Sequence, residues 1–193
     1  MFMDENLQVL KILSDIAETT FRSRKSSMAR IKASGFNEIG EQKLIKTIIK
    51  PLDESLDYLS QQLLSTLLMI PIYNFFLSKQ NGLGIFDSAQ LISIIKDIDG
   101  FATFGHLISY AGFIPNSKNY NKKLHKLLQK LSYKLIKYNP QYQFIYDINV
   151  QKYSEKYPKY SDEHINNMAK RIVVKKFLKN LYFSWNQINR EEF

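Results

Sequence analysis

The sequence predicts an all-α protein, and three observations carry that expectation. Glycine and proline are scarce, 7 and 5 among 193 residues, too few for the turn-rich connections of a β-sandwich. No stretch alternates apolar and polar residues with period two, whereas apolar residues return every three or four positions along most of the chain. Hydrophobic residues make up 45% and charged residues 23%, which supplies a core and excludes wholesale disorder.

The elements follow in order. Leu7, Leu10, Leu13, Ile16 and Ala17 keep helical spacing after Asp4, which is placed to cap the first helix. Gly35 and Gly40 bracket a break, and Leu44, Ile45, Ile48 and Ile49 form a short amphipathic piece expected to stop before Pro51. Leu52, Leu56, Leu59, Leu63 and Leu67 then step by three or four, with Asp53, Glu54 and Asp57 suited to a helix N-terminus. That seam packs within its own domain or pairs two copies as a coiled coil, so a homo-oligomer through the Leu52–Leu67 helix is one expectation. The expected division is an N-terminal helical arm, 1–50, and a helical domain, 51–193. Leu63 to Leu77 is the longest apolar run, interrupted by Ser65, Thr66, Pro71 and Asn74. A spanning helix needs about 20 apolar residues, so a buried helix bent at Pro71 is expected, with no membrane partner. The first residues carry Asp4 and Glu5 and no basic leader pattern, and the expected location is cytoplasmic.

Lys118 to Lys137 contains seven lysines and no acid. Lys118, Lys122, Lys126, Lys130 and Lys134 recur at i,i+4, while Leu124, Leu127, Leu128, Leu131 and Leu135 form an apolar stripe. The last helix is expected to start at Ser161, burying Ile165, Met168, Ile172, Leu178, Leu181, Trp185 and Ile188. It carries Lys170, Arg171, Lys175, Lys176 and Lys179. Between these helices, residues 138–160 hold six of the 12 tyrosines.

Charge narrows the partners. Lys and Arg number 27 against 18 Asp and Glu, a net +9, which favours a polyanion. Residues 1–100 hold 11 basic and 12 acidic side chains, and residues 101–193 hold 16 and 6, so the second half carries the excess. With no cysteine, disulfides, thiolate zinc sites and cysteine nucleophiles are excluded. The histidines, His106, His125 and His164, lie far apart, and Asp162, Glu163 and His164 are contiguous on one helical turn and diverge. No metal and no cofactor is expected. Arg22, Arg24, Lys25, Arg30 and Lys32 form a second basic patch, either solvated surface or an auxiliary phosphate contact.

Gly82-Leu83-Gly84-Ile85-Phe86 has the spacing of a helix-hairpin-helix, with a helix beginning at once behind it. Glycines permit positive φ and close approach of backbone to a ligand, Leu83 would plug the hairpin into the core, and a helix N-terminus offers amides to a phosphate. The continuation carries a resemblance. Gly82-Leu83-Gly84, Asp97-Ile98, Phe101, Leu107 and Tyr110-Ala111-Gly112-Phe113-Ile114-Pro115 resemble, in order and without a gap, the C-terminal domain of the DEDD insertion-sequence transposases. Ile70-Pro71-Ile72-Tyr73 is similar to the segment before that family's hairpin. Asn121-Lys122-Lys123-Leu124 is similar to its next helix start, and His164 to Arg171 with Phe177-Leu178 to its closing helix. The resemblance spans roughly residues 60–188.

It implies DNA binding and a part in transposition or recombination. In the family, catalysis belongs to an N-terminal nuclease domain with four acidic metal ligands, acting with a serine of the C-terminal domain. Here residues 1–50 read as helical, and Asp4, Glu5, Asp15, Glu18, Glu38 and Glu41 lie on amphipathic helices. Ser117 is the serine of the right type, in a loop that lacks the family's glycine; as a cap for the lysine-rich helix it has a second reading. It has no evident general base. A tyrosine-recombinase arrangement of Tyr153, Tyr157, His164 and Arg171 lacks clamp spacing.

The expected function is therefore a DNA-binding protein without its own nuclease domain. Its partner is the phosphate backbone of double-stranded DNA, held by Gly82, Leu83, Gly84, Ile85, Phe86, Lys118, Lys122, Lys126, Lys130 and Lys134. Single-stranded nucleic acid stacking on the tyrosines is a further expectation. The alternatives are a compact recombinase completed in trans by a partner or oligomer, and a non-catalytic interaction module that has lost DNA binding.

Overall fold

The structure, a computed structural model, describes residues 2–115 and 118–191. It is all-α, with no strand among the described residues. The chain divides into two compact units, Met1–Ile70 and Pro71–Phe193.

The first unit is built from α1 (Phe2–Ala33), α2 (Glu38–Leu44), a π-helical turn (Ile45–Ile49) and α3 (Lys50–Leu68). Helix α1 starts ahead of Asp4, so Asp4 is not its cap. The chain reverses at Gly35, whose φ is +68°, and Asn37 caps α2 by accepting the Gly40 N–H at 3.0 Å. The helix expected to stop before Pro51 instead continues through it. Proline has no N–H and its ring crowds the carbonyl four residues back. The backbone widens to accommodate it: the Lys50 N–H reaches the Ile45 carbonyl, five residues back. Leu56, Leu59, Leu63 and Leu67 are buried along α3, and Leu10, Ser14, Ala17 and Ile31 along α1, against which α3 packs. Each fully buried leucine is worth about 1.5–3 kcal/mol. The seam is thus used inside its own unit, so α3 belongs with the N-terminal elements and the division falls at Ile70, beyond the expected boundary at 50. Arg24 grips Asp53 from α1 to α3 through both guanidinium and carboxylate forks. The Arg24 hydrogen bond and charge hold the Asp53 carboxyl below its ordinary pKa.

The apolar run expected to bend at Pro71 is broken there. Helix α3 ends at Leu68, the Ile70 N–H closes onto the Leu67 carbonyl at 2.9 Å, and Pro71 opens a new helix as its first residue. The second unit then holds α4 (Pro71–Phe75), a 3₁₀ turn (Leu77–Lys79), α5 (Ile85–Ile95), α6 (Phe104–Tyr110), α7 (Lys122–Tyr138), α8 (Pro140–Lys156) and α9 (Asp162–Glu191). Helix α9 is the spine: α4, α6, α7 and α8 all pack on it. It buries Ile165, Leu178, Leu181, Trp185 and Ile188 as expected, with Ala169, Val173, Val174 and Phe177 added. Met168 and Ile172 are only half-buried.

Helix α8 carried no pattern in the sequence because Tyr142 is the only buried residue along it. Asn139 caps it through the Gln141 N–H at 3.1 Å, Pro140 occupies its first turn, and it lies along α9. Burial raises the Tyr142 phenol above its ordinary pKa, and a hydrogen bond from Asn180 partly opposes the shift. No helix among the described residues is long and apolar enough to cross a membrane.

Candidate nucleic-acid interface

The charge imbalance coincides with the structural division. Residues 1–70 carry 9 basic and 9 acidic side chains, and residues 71–193 carry 18 and 9. The whole net +9 therefore resides in the second unit. The N-terminal basic patch is partly neutralised, since Arg22 pairs with Glu18 and Arg24 with Asp53.

Helix α7 is the densest basic element, and the Tyr110-Ala111-Gly112 corner positions it. Asn121 caps α7 by accepting the Leu124 N–H at 2.9 Å. The same residue donates its backbone N–H to the Tyr110 carbonyl at 2.8 Å and its side-chain amide to the Tyr110 hydroxyl at 2.6 Å. His125 donates from Nδ1 to the Ala111 carbonyl at 2.9 Å, and its ring stacks on Phe113 with centroids 4.7 Å apart. Gly112 has φ +75°, and a β-carbon there would sit 2.6 Å from the Tyr120 ring. The Tyr110-Ala111-Gly112 corner thus acts locally as the joint between α6 and α7. Asn121 performs the capping expected of Ser117, and Ser117 itself lies outside the described residues. Lys118 is exposed but precedes α7, so it does not continue the helical row.

The Gly82–Gly84 turn leads directly into α5. Gly82 has φ +94°, and its missing side chain lets the turn close against the Lys134 carbonyl. Leu83 is half-buried rather than a core plug, and its N–H donates to the Gln80 carbonyl at 3.0 Å. The Gly84 N–H points at Asp87 Oδ2, 3.4 Å away. The Leu83 and Gly84 amides, expected to meet phosphate, are thus engaged within the turn and its helix. Asp87, whose side chain is 3% exposed, supplies the anion at this helix N-terminus. Lys130 meets its Oδ1 at 3.2 Å and Lys134 meets its Oδ2. Their side chains remain 61% and 35% exposed, so Lys130 can turn outward more readily than Lys134.

The outer face of α7 is not the row read at i,i+4. Each four-residue step rotates about 40° around a helix, so five such positions wrap well round the cylinder. Returns at i+7 and i+11 stay in line. Lys122, Lys126, Lys130, Tyr133 and Lys137 are all exposed and fall within about 80° of arc. Helix α9 adds Lys170, which donates to the Tyr133 hydroxyl at 3.1 Å and lies 4.2 Å from its ring centroid. Neither Lys122 nor Lys126 has an ion-pair partner among the described residues. Sequence reading missed Asp87 as the counter-charge, and Tyr133, Lys137 and Lys170 as members of the face. The i+7 spacing from Lys126 to Tyr133 was the available signal.

Among the described residues no group of three or more His, Asp or Glu side chains gathers as a metal site. Comparison with protein-family models, with curated proteins and with solved structures finds no match.

Proposed function

We propose that the chain binds DNA through its second unit, in the manner expected of the C-terminal half of an insertion-sequence transposase. The observation that supports this most is the coincidence of the whole net charge with one unit, in which a row of exposed lysines lines a helix face. Lys122, Lys126 and Lys137 provide the phosphate contacts, and Lys130 joins them when it leaves Asp87. Ammonium groups in a row neutralise phosphates without reading base edges, so binding follows charge more than sequence. The resemblance of residues 82–115 to the transposase motifs supports the same partner. Transposition or recombination is the process it points to.

The test is a mobility-shift titration of a duplex of about 20 base pairs with the full chain and with the Lys122→Glu/Lys126→Glu variant. Reversing two contacts is expected to weaken binding by about tenfold or more. Equal affinity of the two proteins would contradict the reading.

A further inference from the structure

We propose that Tyr133 is a base-stacking station, and that the α7 face therefore takes an unpaired segment of single-stranded DNA as well as a duplex backbone. The inference rests on the phosphate-binding reading of α7 and names the nucleic-acid structure that this face suits.

The argument begins with a residue out of place. A tyrosine buries its ring when it serves the core, yet Tyr133 is 59% exposed in the middle of a lysine row. Along the helix Lys126 lies about 10 Å to one side and Lys137 about 6 Å to the other. A face made only for duplex phosphates gains nothing from an aromatic ring there, because a duplex keeps its bases stacked inside. An unpaired strand presents base faces and phosphates together, and an aromatic ring among lysines matches both.

Lys170 makes the ring a prepared surface. Its Nζ lies 4.2 Å from the ring centroid and 3.1 Å from the hydroxyl. It thus holds the side chain from α9 by covering one face of the ring, and the opposite face is the one on which a base would stack. A ring fixed before binding loses little freedom when a base stacks on it. The two helices that define this arrangement pack directly on each other.

The experiment measures fluorescence anisotropy of labelled 12-nucleotide oligothymidylate, of the matching oligouridylate and of a labelled duplex, using the full chain, Tyr133→Ala and Tyr133→Phe. Tyr133→Ala is expected to weaken oligothymidylate binding by about 5- to 150-fold, the loss typical of one stacked base. Duplex binding should change by less than about twofold, and Tyr133→Phe should bind the oligomer nearly as wild type because the ring remains. Equal effects of Tyr133→Ala on both ligands, or none on either, would overturn the stacking proposal while leaving duplex binding by α7 intact. A loss seen with oligouridylate but not with oligothymidylate would overturn DNA as the stacked strand. Failure of the wild-type chain to bind any of them would overturn the phosphate-binding reading along with it. Matching far-ultraviolet dichroism and melting temperatures keep the comparison between folded proteins.

Discussion

The Lys134 carbonyl oxygen lies 2.7 Å from the point where a β-carbon on Gly82 would stand. Gly82 also has φ +94°, a conformation that side chains with a β-carbon rarely adopt. Backbone on α7 cannot yield as a flexible side chain would. Gly84, by contrast, has extended backbone, and its β-carbon would find only Asp87 Oδ2, at 3.8 Å. Gly82→Ala is expected to destabilise the protein by about 2–4 kcal/mol, whereas Gly84→Ala should cost less than about 1 kcal/mol. Denaturant titration of the two variants checks the contrast.

Asp87 pairs with both Lys130 and Lys134 of α7. Asp87→Asn keeps the shape and removes the counter-charge from Lys130 and Lys134. Both lysines reach solvent, so the cost should be about 1–3 kcal/mol, below that of breaking a fully buried pair. The released ammonium groups are expected to steepen the salt dependence of DNA binding, by about 0.9 in the log–log slope for each lysine that gains a phosphate. An unchanged slope would show that the two lysines do not face the ligand.

Tyr142 gives the second unit an alkaline limit. Burial raises its phenol above the ordinary value of 10.0, so the folded state holds the proton more tightly than the unfolded one. That stabilising difference is complete below the unfolded value and disappears as pH rises through the folded value. Denaturation midpoints measured from about pH 9 to pH 12 should therefore fall less steeply for Tyr142→Phe than for wild type. Parallel curves would assign the alkaline loss to other groups.

Much of the fold was legible because α3, α7 and α9 each bury a stripe at helical spacing. Leu56 to Leu67 and Leu124 to Leu135 are buried as the pattern requires. What escaped has physical reasons. Helix α8 buries one side chain and relies on its neighbours, so no periodicity marked it. Pro51 was read as a stop, but a π turn lets the helix pass. At the candidate interface the lysines of α7 could be read, but their geometry could not. A partner for Lys130 and Lys134 came from Asp87, more than forty residues away in sequence, and nothing in local spacing predicts such a pair. Gly82 was read as a point of phosphate approach, whereas its observed neighbour is the α7 backbone.

Strand cleavage by the chain alone is not expected. Phosphoryl transfer through two metals needs carboxylates that converge, and Asp15, Glu18, Glu38 and Glu41 are spread along α1 and α2. Supercoiled plasmid incubated with Mg²⁺ or Mn²⁺ should stay intact with wild type and with Ser117→Ala alike. Metal-dependent nicking by wild type that disappears in Ser117→Ala would establish the compact recombinase instead.

The central claim, that a lysine face on the second unit neutralises DNA phosphates, is tested most directly by the salt dependence of duplex affinity. Three or four lysines of α7 contacting phosphate should give a slope of log affinity against log salt between about −2.7 and −3.6. The slope should become shallower by about 1.8 in Lys122→Glu/Lys126→Glu. A wild-type slope shallower than about −2, or one that the double substitution leaves unchanged, would contradict the account.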